Sequence, residues 1–179
     1  MIWHFMNDSK SKLAFGAPVF LVGFMAAGKS TAGRALAQKL SFQFVDLDDK
    51  IEARAQKTVR EIFAEFGESH FRQLEREAIQ ACGELKNTII ALGGGAYVAE
   101  ENRAILRTIG TTVWLDCPLD VCLSRIIADG SRPLAKSEEE MRELLNKRLP
   151  AYSQANIRLE VDKKSAEQIA EEIIAILSS

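Results

Sequence analysis

The sequence predicts an α/β fold in which a five-stranded parallel sheet is flanked by helices. Short apolar runs alternate along the chain with longer segments of helical periodicity, which is the pattern of repeated βαβ units. The first apolar run, residues 19–22, leads directly into a glycine loop and then into a helix. Because a strand, a glycine loop and a helix N-terminus together bind anions, the same observations predict a binding site.

The chain begins with a segment that does not fit this pattern. Residues 1–18 precede the first strand, and they lack the basic start and long apolar core of a secretory signal. We therefore predict an N-terminal extension over residues 1–18, followed by a single domain over residues 19–179.

The predicted strands and helices follow from periodicity and from local signals. Thr58 and Glu61 fit a capping box, and Pro118 suits the start of a helix. Short apolar runs predict strands at residues 19–22, 42–46, 88–92, 111–115 and 157–161. Helical spacing of apolar residues predicts helices at residues 31–40, 51–55, 58–66, 68–85, 100–109, 118–128, 137–149 and 165–177.

Composition and charge exclude several classes of protein. The 179 residues are 47% hydrophobic and 27% charged, as in ordinary globular proteins with a sizeable core. A net charge of -2 argues against nucleic-acid binding as the main function, and no apolar run is long enough to cross a membrane. The three cysteines form no C-x-x-C pair, so we expect buried thiols in the reducing cytoplasm.

The glycine loop fits the phosphate-binding P-loop pattern G-x-x-x-x-G-K-[ST] from Gly23 to Ser30. The glycines let successive backbone N–H groups point at one anion. Lys29 can reach the β- and γ-phosphates of a nucleotide, and the Ser30 hydroxyl can ligate Mg²⁺. A chance glycine turn is the weaker interpretation in this context.

Two acidic residues end the second predicted strand. Asp46 and Asp48 are two residues apart, so one can hold Mg²⁺ through water while the other receives a substrate hydroxyl. An acidic residue at this position can equally well cap the following helix. The spacing alone does not decide between these interpretations.

Two helical motifs contain an arginine. Arg72 and Glu75 are three residues apart on one helix face, which suits either a surface ion pair or a glutamate that orients the arginine toward a carboxylate. Arg148 and Tyr152 are four residues apart near another helix end, where surface packing is the simpler interpretation.

Two loops add further candidates. Gly93–Gly95 follows the third strand directly and would allow a ligand to approach the backbone closely. Arg132 lies in a loop between helices that suits a mobile lid over a transferring phosphate, although a solvated loop is the alternative. Arg125, seven residues earlier, could pack on a nucleotide base.

Taken in order, these motifs resemble the shikimate kinase family, and the resemblance covers nearly all of the chain from residue 19 onward. A P-loop alone occurs in many unrelated enzymes, whereas the ordered set is far more specific. The set comprises the P-loop, Asp46-x-Asp48, Phe71-Arg72-x-x-Glu75, Leu92-Gly93-Gly94-Gly95, Arg132-Pro133-Leu134 and Arg148-x-x-x-Tyr152.

The resemblance implies a fold like that of the nucleoside monophosphate kinases, and a reaction. ATP would phosphorylate the 3-hydroxyl of shikimate, a step of aromatic amino acid biosynthesis, in a cytoplasmic monomer with Mg²⁺ as cofactor. The acceptor would bind near residues 47–75, and residues 126–137 would form the lid. The implied catalytic residues are Lys29, Asp48 and Arg132. The implied ATP-binding residues are Ala26, Ala27, Gly28, Lys29, Ser30, Thr31, Arg125 and Arg132. The implied shikimate-binding residues are Asp48, Arg72, Gly93, Gly94, Gly95 and Arg148, and the implied metal ligands are Ser30 and Asp46.

Two departures from the family pattern concern the loops. Family members commonly have glycine where this chain has Ala26, which would strain the loop if its φ is positive and would cost little otherwise. Ala135 follows the Arg132 motif where a larger apolar residue is usual, and this would loosen the packing of the lid.

Two rival functions stay open. A kinase of another small hydroxy acid, such as gluconate, would use the same arginine pair. A nucleotide-binding regulator without kinase activity is the rival of another class, although the guanine-reading Asn-Lys-x-Asp motif of GTPases is absent.

Overall fold

The computed structural model describes residues 16–128 and 137–179. Its strands form one five-stranded parallel sheet in the order β2-β3-β1-β4-β5. The strands are β1 (Val19–Val22), β2 (Gln43–Asp46), β3 (Thr88–Ala91), β4 (Thr111–Asp116) and β5 (Ile157–Glu160). The five predicted strands are therefore confirmed to within one or two residues at each end.

Helices connect the strands. They are α1 (Lys29–Leu40), α2 (Leu47–Ala55), α3 (Val59–Ala81), α4 (Glu100–Ile109), α5 (Leu119–Ala128), α6 (Glu138–Tyr152) and α7 (Ala166–Leu177). Short 3-10 turns occupy Cys82–Glu84 and Ala96–Val98. Among the described residues, no helix is long and apolar enough to cross a membrane.

The burial of each strand follows from its place in the sheet. β1 lies at the centre, with Val19 opposite Ile89 of β3 on one side and opposite Thr111 of β4 on the other. All four residues of β1 and all four of β3 are buried, which explains why all of them except Thr88 are apolar. The edge strands β2 and β5 carry exposed polar residues instead. The core therefore lies on both faces of the inner strands.

Two helix boundaries depend on local side-chain chemistry. Thr58 and Glu61 form the predicted capping box at the start of α3. α3 breaks at Gly67, where φ is 80° and ψ is 171°, and this confirms the predicted division between residues 58–66 and 68–85. Such a conformation favours glycine, because a side chain would be strained there.

Three other helix boundaries differ from the prediction by more than two residues. α2 begins at Leu47 rather than at residue 51, because the Asp46 side chain accepts a hydrogen bond from the Asp48 N–H and caps the helix. The second part of α3 ends at Ala81 and gives way to a 3-10 turn, and α6 continues through Pro150 to Tyr152. The predicted lid loop and its Arg132 lie outside the described residues.

Candidate active site

The P-loop joins β1 to α1, and its lysine is held in place by the loop itself. The Lys29 Nζ donates hydrogen bonds to the carbonyl oxygens of Gly23 at 3.0 Å and Phe24 at 2.8 Å. Burial of the ammonium lowers the pKa of Lys29 from 10.5 to about 8, against the opposing attraction of Asp48 and Asp46. The lysine is therefore oriented before any phosphate arrives.

The backbone at Ala26 settles the question left open by the sequence. Its φ is 57°, in the left-handed region where an L side chain is strained. The carbonyl oxygen of Ala26 accepts a hydrogen bond of 3.0 Å from the Arg125 guanidinium. Ala26 therefore adopts a strained backbone conformation, and the hydrogen bond from Arg125 of α5 stabilises it.

A cavity of about 540 Å³ opens beside the P-loop. The predicted ATP-binding residues within the described part of the chain line it together with Lys164, Ala166 and Ile169, which lie around the start of α7 and which the sequence motifs did not indicate. The cavity is lined by Ala26, Ala27, Gly28, Lys29, Ser30, Thr31, Ala32, Arg125, Lys164, Ala166 and Ile169. The cavity includes the N-terminus of α1, whose free backbone N–H groups suit the phosphates of a nucleoside triphosphate.

Two oxygen-bearing side chains meet at the mouth of the loop. The Ser30 hydroxyl donates a 2.6 Å hydrogen bond to one carboxylate oxygen of Asp46, whose other oxygen caps α2. The capping interpretation of Asp46 is therefore confirmed, and the same carboxylate also faces the P-loop serine. A hydroxyl beside a carboxylate is a donor set that Mg²⁺ accepts when water and phosphate oxygens complete the shell.

Asp48 faces the interior of the site. Its Oδ1 is buried and has no hydrogen-bond partner among the described residues. Burial raises the pKa of Asp48, the nearby Asp46 carboxylate raises it further, and Lys29 opposes the rise. Leaving a buried carboxylate oxygen without a hydrogen bond costs stability, so this atom is suited to accept a hydrogen bond from a hydroxyl group of a ligand.

Arg72 is braced by two glutamates. Its Nη1 lies 3.1 Å from each carboxylate oxygen of Glu75, and its Nε and Nη2 donate to Glu68 at 3.3 and 3.0 Å. Glu75 is only 1% exposed, which does not fit a surface ion pair. Burial raises the pKa of Glu75, and the attraction of Arg72 opposes that rise. The glutamate therefore fixes the orientation of the guanidinium.

The three glycines after β3 bring the acceptor-side residues together. A methyl group on Gly93 would lie 2.8 Å from the Asp48 carboxylate, one on Gly94 would lie 3.2 Å from the Arg148 guanidinium, and one on Gly95 would lie 2.9 Å from that of Arg72. Each glycine thus leaves room for one functional side chain. One carboxylate and two guanidinium groups converge on the same short backbone segment.

Arg148 and Tyr152 approach this segment from α6. The Arg148 Nη1 donates to the Gly94 carbonyl oxygen at 3.1 Å, and the guanidinium carbon lies 5.8 Å from the centre of the Phe24 ring. Tyr152 is fully buried and bonds to the same Gly94 carbonyl, so surface packing does not describe this pair.

The predicted candidates within the described residues thus gather at the carboxyl ends of β1, β2 and β3, as expected for ligand sites of parallel sheets. The residues missed from the sequence lie on elements far away in the chain. Lys164 and Ile169 reach the nucleotide cavity only because α7 packs beside α1.

Comparisons with known proteins agree with this geometry. The family model described as "Shikimate kinase" matches residues 25–178. The shikimate kinase of Persephonella marina is 44% identical over 157 residues, which cover 87% of this chain and 96% of the relative.

Solved structures extend the likeness to three dimensions. Shikimate kinase from Acinetobacter baumannii, in complex with shikimate, matches with a TM-score of 0.85 and 35% identity, covering 94% of this chain and 97% of that chain. APS kinase of Mycobacterium tuberculosis, in complex with AMPPNP and APS, matches with a TM-score of 0.59 and 18% identity, covering 92% of this chain and 99% of that chain. The second likeness concerns the fold alone. The predicted P-loop fold of the nucleoside monophosphate kinase type is confirmed.

Proposed function

Because this chain belongs to the shikimate kinase family, we propose that it transfers the γ-phosphate of ATP to the 3-hydroxyl of shikimate. The products are shikimate 3-phosphate and ADP, in the pathway to the aromatic amino acids. The observation that carries the proposal is the convergence of Asp48, Arg148 and Arg72 on Gly93–Gly95. Such a pocket offers a carboxylate that can accept a hydrogen bond from a hydroxyl group, and two guanidinium groups that can bind a carboxylate.

ATP occupies the cavity beside the P-loop in this proposal. The loop amides and Lys29 hold the phosphates, while Arg125 and the residues at the start of α7 enclose the rest of the nucleotide. Phosphoryl transfer needs alignment and charge neutralisation more than covalent chemistry, so a pre-oriented Lys29 is well suited to it. Arg132 adds a second positive charge when the proposed lid over residues 126–137 closes.

Mg²⁺ fits the pair formed by Ser30 and Asp46. The Ser30 hydroxyl, with Asp46 in support, would hold the ion, because Mg²⁺ needs few protein ligands where water and phosphate oxygens are at hand. When bound, Mg²⁺ neutralises phosphate charge. The serine and aspartate fix where that neutralisation takes place.

Shikimate binds by its carboxylate between Arg72 and Arg148 in this proposal. The buried Glu75 orients Arg72, and in this structure the Nε and Nη2 of the guanidinium pair with Glu68, whose side chain is 68% exposed. In this proposal the carboxylate of shikimate replaces Glu68 on that edge, which is already oriented and therefore loses little entropy on binding. Asp48 then accepts a hydrogen bond from a ring hydroxyl and orients the 3-hydroxyl for attack. The acceptor region comprises α2, the part of α3 before Gly67 and the start of the part after it, with Arg72 and Glu75, within residues 47–75.

We further propose a cytoplasmic monomer with one catalytic domain over residues 19–179. Its three cysteines are free and buried, which suits a reducing compartment. Light scattering during gel filtration gives the mass in solution, and a mass near twice 19.8 kDa would refute the monomer.

A coupled assay of ADP release tests the function. We expect rapid turnover with shikimate, little with gluconate and less still without an acceptor. Lys29→Met should abolish turnover while the protein stays folded, because the variant removes a transition-state charge and only two hydrogen bonds to P-loop carbonyl oxygens. Equal rates with and without shikimate would indicate a nucleotide-binding protein of another function.

A further inference from the structure

Two side chains of α6 share one acceptor in the glycine segment. Tyr152 donates its hydroxyl proton to the Gly94 carbonyl oxygen at 2.5 Å, and the Arg148 Nη1 donates to the same oxygen at 3.1 Å. A carbonyl oxygen has two lone pairs, so both bonds can form at once. The two donors are one helical turn apart, which places them side by side on α6.

The tyrosine hydroxyl has a more specific role than filling space. The ring is fully buried, and its centre lies 6.0 Å from that of Trp114 on β4. A phenylalanine would make the same ring contacts. Burial raises the pKa of Tyr152, so its hydroxyl stays protonated and remains a donor.

Gly94 needs an external support because it carries no side chain. A methyl group at this residue would lie 3.5 Å from the Met25 N of the P-loop and 3.2 Å from Arg148. Gly94 therefore lies where the phosphate-binding loop and the acceptor-binding segment meet. Its carbonyl direction depends on the groups that donate to it.

We propose that Tyr152 is a positioning residue that aims Arg148 at the acceptor's carboxylate by fixing the Gly94 carbonyl. The inference rests on the proposed function, since the carboxylate is that of shikimate. The Tyr152 hydroxyl donates a hydrogen bond that fixes the Gly94 carbonyl, and this carbonyl in turn accepts a hydrogen bond from the Arg148 Nη1. The remaining N–H groups of Arg148 can then donate to the ligand. Removing the hydroxyl leaves the carbonyl with one donor and gives Arg148 a less rigid partner.

Tyr152→Phe tests this inference, with Tyr97→Phe as the matched control. Tyr97 is equally buried, and its hydroxyl lies 3.3 Å from Thr112 Oγ1, away from the Gly94 carbonyl. Tyr152→Phe should raise KM for shikimate about three- to tenfold, the effect of one hydrogen bond, with KM for ATP and kcat changed less than about twofold. Tyr97→Phe should leave KM for shikimate near the wild-type value. Melting temperatures establish that both variants are folded.

Two further arms separate positioning from packing. With a shikimate analogue that lacks the carboxylate, Tyr152→Phe should change KM by less than about twofold, because Arg148 has no carboxylate to bind. In an Arg148→Ala background, Tyr152→Phe should add little, because the residue through which it acts is gone. Equal effects on both acceptors, or fully additive effects of the two substitutions, would overturn the inference.

The outcomes also separate this inference from the function on which it depends. A wild-type protein that does not phosphorylate shikimate would refute both. A wild-type protein that does, together with a Tyr152→Phe variant indistinguishable from Tyr97→Phe, would refute the positioning role alone.

Discussion

Raising the pH should remove the ability of the free protein to capture ATP, because it discharges Lys29. Burial places the pKa of Lys29 at about 8, well below its ordinary value of 10.5, so the ammonium loses its proton as the pH rises through 8. The charged fraction is one half at that pKa and about one tenth one pH unit above it. The apparent kcat/KM for ATP should therefore fall about tenfold per pH unit above pH 8.

The assay is a set of initial rates between pH 6 and about 10, measured with saturating shikimate and varied ATP. The parameter kcat/KM for ATP reports groups of the enzyme before ATP binds, whereas kcat reports the complex. Bound phosphates favour the charged ammonium, so kcat should stay high to a more alkaline pH than kcat/KM does. The distance between the two curves along the pH axis measures how far bound ATP raises the pKa of Lys29.

Lys29→Arg is the matched control for this assignment. A guanidinium stays charged throughout the range, so the alkaline fall in kcat/KM for ATP should disappear in whatever activity the variant retains. A wild-type kcat/KM that stays level to pH 10, or a fall that persists unchanged in Lys29→Arg, would refute the assignment to this lysine.

Three other substitutions test separate parts of the site. Ala26→Gly should stabilise the protein by about 0.5–1 kcal/mol, or raise its melting temperature by about 1–4 °C, because glycine relieves the positive φ at some entropic cost. The control variant, Ala104→Gly on the exposed face of α4, should destabilise the protein. Stability shifts of the same sign in both variants would contradict backbone strain at Ala26. Arg72→Ala should raise KM for shikimate about ten- to hundredfold and hardly change KM for ATP, and Arg72→Lys should recover part of the loss. Equal increases in KM for both substrates would place Arg72 outside the acceptor pocket. Asp48→Asn should lower kcat more than it weakens shikimate binding, because the amide keeps the size but not the charge; an effect on KM alone would remove its role in catalysis.

The inner strands could be predicted because burial on both faces leaves a simple sequence signal. β1 and β3 are continuous apolar runs, and the helix break at Gly67 is marked by the one residue type that tolerates its conformation. The start of α2 could not be predicted from apolar periodicity, because its first turn contains the polar residues Asp48 and Asp49. Its N-cap, Asp46, also accepts a hydrogen bond from Ser30 of the P-loop, and the sequence does not show that one side chain makes both contacts.

The candidate site divides in the same way. The roles of Asp48, Arg72 and Arg148 could be predicted only from the ordered set of motifs, because each local pattern also fits a helix cap, a surface ion pair or surface packing. The structure brings the three side chains together at Gly93–Gly95. The wall formed by Lys164 and Ile169 could not be predicted, because it depends on how α7 packs against α1. The positive φ of Ala26 was also hidden, since the sequence supplies a residue that disfavours the conformation the loop adopts.

The most direct test of the whole account is to compare shikimate with its analogue lacking the carboxylate, in the wild type and in Arg72→Ala. The wild type should prefer shikimate strongly in kcat/KM, because in the proposed complex the guanidinium groups of Arg72 and Arg148 bind the carboxylate. Arg72→Ala should lose most of that preference while it still binds ATP. If the wild type phosphorylates both compounds equally well, the carboxylate clamp is wrong, and the assignment of shikimate as the acceptor loses its main physical support.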